Sequence, residues 1–211
     1  EGRVLCDRDT VIERFLCGGR VLEYQQAIGL FSQPNYGTCQ RLLEWAERQT
    51  RGLEGDLLEL YCGSGSFSIA LAHHFRLCLA TELSGESIAL ARGNAARNQI
   101  ENVQFLRMAS EELSRALQRS SVELRDEHKS VCTGDFDFRT ALVDPPRDGL
   151  DRCTRDLLRH FDSVVYISCN PETLARDLKH LSDSHSMRAF AFFDQFPYTD
   201  HLECGAVLEA C

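Results

Sequence analysis

The chain has 211 residues, 43% of them hydrophobic, enough for one sizeable α/β domain with a buried core and a small appendage. Its formal net charge of −9 argues against broad, sequence-blind binding of nucleic acid, and no stretch reaches the ~18 apolar residues of a membrane span. Ten cysteines, spread through predicted strands and helices with no CxxC pair, argue against a disulfide framework, a structural zinc site or an iron–sulfur cluster, and for reduced thiols in a cytoplasmic setting.

In chain order, residues 1–31 alternate apolar and polar positions around Cys-Asp-Arg-Asp and Cys-Gly-Gly-Arg, and residues 1–34 read as a β-rich lead-in to a domain over 35–211. The chain opens on Glu1 rather than Met, so a further N-terminal part is expected, along with any targeting signal it carries. Helical spacing starts at Asn35 and runs to Thr50, with Leu42, Leu43, Trp45 and Ala46 as its buried stripe. The pattern then alternates: strand 57–61, helix 67–75, strand 77–81, helix 86–98, strand 103–107, helix 111–117, strand 140–143, helix 154–161, strand 164–168, helix 171–181. Strands at 188–193 and 203–208 follow with no helix between them. Five strand–helix alternations predict a mostly parallel, Rossmann-like sheet wrapped by helices, closed by a C-terminal antiparallel hairpin. Residues 119–138 are polar, break the rhythm, and read as a mobile surface insertion. The arginines at 139, 147, 152, 155 and 159 read either as a solvated face or as a local basic patch.

Gly63 and Gly65 lie in Leu-Tyr-Cys-Gly-Ser-Gly-Ser-Phe (60–67), between the first sheet strand and its helix. Glycines there allow a tight turn and close backbone approach to a ligand, although packing alone also selects them. Glu82 ends the next strand, where a carboxylate can accept both hydroxyls of a ribose. The turn is not GxGxxG and lacks the lysine of a phosphate loop, so a nucleoside without pyrophosphate fits, S-adenosylmethionine foremost. Ser110, Glu111 and Glu112 open a helix where adenine contacts can lie, and serve equally as a helix start with favourable first-turn charges.

Asp144-Pro145-Pro146-Arg147 ends the fourth strand, and its prolines stiffen the loop. Asp144 and Arg147 should therefore face a ligand at the carboxyl edge of the sheet. Amino-methylating enzymes place an aromatic residue after a similar proline pair; here it is Arg147. Cys169 ends the fifth strand in Ser-Cys-Asn-Pro, just before a helix whose N-terminus should lower the thiol's pKa. A thiolate suits a carbon such as uracil C5, which becomes nucleophilic only after conjugate addition at C6. A base must then remove the C5 proton, and Glu203 fits that role. Cytosine-C5 enzymes use a thiol too, but after proline rather than before Asn-Pro.

With these residues in place, the chain resembles the RNA uracil-C5 methyltransferases that make 5-methyluridine. The resemblance rests on Phe31-Ser32-Gln33-Pro34-Asn35, Leu58 to Gly65, Asp144 to Arg147, Ser168 to Pro171 and His201-Leu202-Glu203, and spans essentially all 211 residues. It is closest to the branch acting on tRNA, through Tyr166 to Leu174 and Phe193 to Thr199. It implies S-adenosylmethionine as donor, S-adenosylhomocysteine as product and a T-loop uridine in the tRNA T-arm as acceptor. It implies Cys169 as nucleophile, Glu203 as base, and cofactor contacts from Gln33, Tyr61, Glu82 and Asp144 beside Gly63, Gly65 and Ser66. The family pattern carries Asn at the positions of Ser64 and Ser66. Arg147, Asp144 and Tyr198 are the expected substrate contacts, with Tyr198, Phe196 or Arg147 stacking on a flipped base. Family members also carry an N-terminal RNA-binding subdomain that this chain lacks; no metal and no membrane are expected. Two alternatives stand beside this reading. One is the ribosomal RNA branch, which often carries an iron–sulfur motif not visible here. The other is a non-catalytic RNA-binding or RNA-folding module, against which the presence of both Cys169 and Glu203 argues.

Overall fold

The computed structural model describes residues 8–118 and 122–211. Residues 1–7 of the lead-in and 119–121 of the expected insertion lie outside the described residues. The lead-in forms a hairpin of β1 (Thr10–Cys17) and β2 (Arg20–Ala27). Its two-residue turn is Gly18-Gly19, both at positive φ, as the right-handed twist of a tight hairpin demands. Phe15, Cys17, Leu22 and Tyr24 are buried on its inner face. Helix α1 (Tyr36–Thr50) is capped by Asn35, whose side chain accepts from the Thr38 amide, and it buries Leu42, Leu43, Trp45 and Ala46.

The alternating run follows: β3 (Asp56–Leu60), α2 (Ser66–Leu71), β4 (Cys78–Glu82), α3 (Gly85–Arg97), β5 (Val103–Arg107) and α4 (Ser110–Leu117). A small β6 (Glu123–Arg125) and β7 (Ser130–Cys132) come next, then β8 (Phe138–Val143), α5 (Arg152–Leu158), β9 (Ser163–Ser168) and α6 (Pro171–Leu181). Strands β10 (His185–Phe193) and β11 (Glu203–Ala210) end the chain. The helix expected over 67–75 is shorter, because α2 gives way to a tighter turn at Ala72–His74.

Seven strands form one sheet in the order β10-β11-β9-β8-β3-β4-β5. The five from β9 to β5 run parallel, and β11 is antiparallel to both β9 and β10. This is the predicted Rossmann-like sheet with its C-terminal hairpin. Strand β3 is buried along its whole length, as befits a parallel strand covered on both faces. From β3 the chain first builds outward through β4 and β5, then returns to place β8 on the opposite side. That reversal opens a crevice at the carboxyl ends of β3 and β8, where ligands of such sheets bind.

Residues 122–138 correct one expectation, since they are ordered. Strands β6 and β7 pair with Leu124 and Val131 buried beneath them. Asp126 ties the hairpin to the sheet edge by accepting from Arg92 at 2.7 Å and from the Arg107 amide at 2.9 Å. Those bonds, with the His128 and Lys129 amides, outweigh desolvation and hold the Asp126 carboxyl down at about 2. Two buried apolar residues in a charged stretch are too few to show a period in sequence.

Candidate active site

A cavity of about 930 Å³ opens over the carboxyl ends of β3, β4, β8 and β9 and is flanked by the segment after β2. Its wall includes Gln33, Tyr61, Gly63, Ser66, Glu82, Asp144, Arg147, Cys169 and Glu203. The volume sits at the upper end of the ~300–1,000 Å³ typical of small-molecule sites.

Turn geometry builds the first end. Strand β3 stops at Leu60, one residue short of its expected end, because Tyr61 adopts φ +62. A left-handed tyrosine is strained, and such strain gathers at functional turns. Ser110 Oγ donates to the Tyr61 hydroxyl at 2.6 Å and holds the ring at the wall. Gly63 is also left-handed, and a Cβ there would meet nothing within 4 Å, so the backbone lies open to a ligand. The Glu82 carboxylate accepts from the Gly63 amide at 3.3 Å and from the Ser84 amide at 2.9 Å, one bond to each oxygen. Lone pairs remain on both oxygens for a diol.

Gly65 does not line the cavity. It sits at φ +82, and an added Cβ would lie 3.1 Å from the Phe105 ring and 3.2 Å from Ala91. Its role in the structure is to let α2 approach the β5 side of the sheet. Gly65→Ala is expected to destabilise the fold by roughly 1–3 kcal/mol, read by urea denaturation. Tyr198 also stands off the cavity, fully exposed at φ +66.

The second end is set by register. Cys204 of β11 pairs with Ser168 of β9, so the next antiparallel positions outward are Glu203 and Cys169. Glu203 is buried, and desolvation raises its carboxyl to about 7. Cys169 is half-buried, and its thiol is pushed up, first by burial and then by the Glu203 and Asp144 carboxylates. Its own amide and Arg147 partly offset this. The expectation of a lowered thiol pKa is therefore corrected for the ligand-free chain: two carboxylates and partial burial outweigh the helix terminus. The Asp144-to-Arg147 loop is tied to that terminus, because the Arg147 carbonyl accepts from Asn170 Nδ2 at 3.0 Å and Thr173 Oγ1 at 3.2 Å.

Several residues near the cavity fall within the motifs of the resemblance, yet the sequence pointed to no individual role for them. Gln195 is buried and donates from Nε2 to Gln33 Oε1 at 2.5 Å, which fixes the Gln33 amide at the wall. His201 lines the wall against the Arg147 guanidinium. Glu59, on β3, is fully buried with both carboxyl oxygens short of a donor at bonding distance. Desolvation lifts it from about 4.5 to about 8; the neighbouring Ser68 offsets part of that rise and the nearby Glu82 adds to it. Asp144 rises for the same reasons: burial first, then Glu203 and Glu59. Across the window from about 4.5 to about 8 the folded chain holds a proton on Glu59 that the unfolded chain releases, so stability falls as pH rises there. Glu59→Gln removes that loss, roughly 1.4 kcal/mol per pH unit. The variant is expected to melt above the parent at pH 8 and level with it near pH 5.

Among the described residues, two clusters of metal-ligand type lie away from the cavity, Glu47 with His73 and His74, and Glu111 with Asp151 and Cys153. In the first, Arg51 pairs with Glu47 at 3.0 Å and Arg20 meets His73 at 2.5 Å, so cations already neutralise it. Among the described residues no helix is long and apolar enough to cross a membrane.

The profile of the tRNA (uracil-5-)-methyltransferase family matches residues 1–211. A tRNA/tmRNA (uracil-C(5))-methyltransferase of Cellvibrio japonicus is 48% identical over 207 residues, covering 98% of this chain and 56% of its own length. One of the same description from Aromatoleum aromaticum is 50% identical over 206 residues, covering 98% and 55%. The chain thus spans little more than half the length of these relatives. Among solved structures, the Pyrococcus abyssi tRNA (uracil-54, C5)-methyltransferase in complex with S-adenosyl-L-homocysteine superposes with a TM-score of 0.73. It shares 28% identity, over 95% of this chain and 44% of the Pyrococcus chain.

Proposed function

Since the chain belongs to the tRNA (uracil-5-)-methyltransferase family, we propose that it is the catalytic part of an enzyme that methylates C5 of a T-loop uridine in tRNA, with S-adenosylmethionine as donor. The observation that carries this is the placement of Cys169 and Glu203 on adjoining strands at one end of a cavity whose other end presents Gly63 and Glu82. Among the described residues that line the cavity, Arg147 is the only Arg or Lys, so little side-chain charge is offered to a phosphate. A nucleoside joined to a phosphate-free arm fits that wall. Glu82 would hold the ribose hydroxyls, with Tyr61 and Ser66 beside it and Gln33 and Asp144 toward the reacting end. When bound, S-adenosylmethionine supplies an electrophilic methyl group on a sulfonium.

The chain's own residues then have defined work. A uridine taken out of its stack enters beside Cys169. The thiolate adds to C6, the sulfur–carbon bond forms, and the C5=C6 electron pair moves toward C4 and O4 as an enolate. That makes C5 the nucleophile. Once C5 carries the methyl group, Glu203 takes the C5 proton, the C5=C6 bond re-forms, and the Cys169 thiolate leaves. Cytoplasmic tRNA is the proposed substrate pool, and RNA contacts beyond the site would come from the part of the relatives' length not spanned here.

The test is tritium release from tRNA labelled at uridine C5, with S-adenosylmethionine present. Release supports the reading. No release from a chain that binds the cofactor, and none after the missing length of a relative is fused to it, would sink the substrate assignment.

A further inference from the structure

We propose that His201 is a positioning residue that holds the Arg147 guanidinium over the Cys169 end of the cavity, where it meets the negative charge that builds on the thiolate and then on the pyrimidine O4. The substrate part of this rests on the proposed function above; the geometric part stands on the ligand-free chain.

Arg147 is exposed, and among the described residues no carboxylate lies within ion-pair distance of it. Its guanidinium instead faces an imidazole. Nη2 lies 3.0 Å from His201 Nδ1 and Nη1 lies 3.4 Å from Nε2. An imidazole offers a guanidinium at most one acceptor nitrogen, and the shorter contact, to Nδ1, is the one that fits. Both the ring and the backbone of His201 are held. Phe196 meets it edge-on with centroids 5.8 Å apart, and the His201 amide donates to Thr199 Oγ1 at 3.2 Å. The Arg147 backbone is fixed from the other side by Asn170 and Thr173, the residues that follow Cys169. A long cationic side chain anchored at its root and steered near its tip has fewer orientations open to it than a free arginine.

The choice of an imidazole rather than a carboxylate has a chemical consequence. Glu203 and Asp144 already oppose ionisation of Cys169, and a third carboxylate pairing with Arg147 would cancel the guanidinium's charge at the wall. An imidazole nitrogen brings no negative charge, so it directs the guanidinium while leaving its charge available to the sulfur and to the enolate oxygen. His201 sits two residues before Glu203, so the cation and the base are placed by one short segment.

The test needs neither tRNA nor cofactor. Alkylation of Cys169 by iodoacetamide at pH 8 is followed by peptide mass spectrometry, which separates it from the other nine cysteines. His201→Ala is expected to slow alkylation about threefold, through a smaller thiolate fraction. His201→Gln keeps an acceptor and is expected to restore most of the rate. In an Arg147→Ala background, His201→Ala should change nothing further. Alkylation of His201→Ala at the parent rate overturns the proposal, as does an equal slowing in the Arg147→Ala background. In methylation assays, the expected mark is a fall in kcat with KM for tRNA little changed. Loss of methylation by the parent chain with these alkylation results intact would fault the substrate, not the positioning.

Discussion

Cys169→Ala is expected to lower methyl transfer by more than roughly 10⁴-fold while leaving noncovalent tRNA and cofactor binding near the parent level. Uracil C5 has no useful nucleophilicity until C6 is saturated, so without the thiol the reaction loses its first step and not merely a contact. Other thiols close to the site do not substitute. Cys204 is fully buried, and burial lifts it to about 11, with Glu203 adding to the rise. Cys62 is buried too and raised well above its ordinary range by desolvation and then by Glu59. The fold should survive, because a half-buried sulfur at a strand end contributes little packing and surface-side substitutions of this kind cost about 0.5 kcal/mol. The measurement is tritium release from C5-labelled tRNA set beside a filter-binding titration on the same preparations. Loss of release with binding kept marks catalysis through a covalent adduct. Retained release would remove Cys169 from the mechanism and favour a non-catalytic role for the constellation.

How much of this could be read from sequence follows from the range of the forces involved. The sheet was legible because each strand is a short apolar run and each helix carries its own stripe, and β11 with β10 announced itself by the missing helix. Strand ends were legible for the same reason: Glu82 ends its strand and Asp144 and Cys169 directly follow theirs, so a correct strand puts each at the cavity edge. Local backbone choices were less so. Tyr61 departs into the left-handed region where sequence suggested one more strand residue, and Gly65 proved a packing glycine because Phe105 and Ala91 lie against it. Tyr198 follows the same turn that brings Phe196 and His201 to the wall, yet points away. The thiol's ionisation was the least legible. It depends on Glu203 and Asp144, brought beside Cys169 by strand register, and no local signal in Ser-Cys-Asn-Pro reports them.

Glu203→Gln is expected to halt the reaction after methylation of C5 and to accumulate a covalent protein–RNA species that survives denaturing electrophoresis. Glutamine keeps the size of the side chain and removes the basic oxygen, so the C5 proton has no acceptor and Cys169 cannot be expelled. The same substitution removes a neighbouring negative charge that raises the Cys169 thiol, so addition to C6 should become easier as elimination fails. Both effects act in the direction of a trapped adduct. The parent enzyme should show the complementary pH dependence. A base must be ionised to accept a proton, and burial places Glu203 at about 7 instead of its usual 4.5. The single-turnover rate of C5–H release should therefore climb through pH 6, where roughly one tenth of Glu203 is ionised, and level off above pH 8. Free 5-methyluridine product from Glu203→Gln at the parent rate, with no trapped species, would transfer the base role to another group. Asp144 would be the first to try, since it shares the same wall and is electrostatically coupled to Glu203.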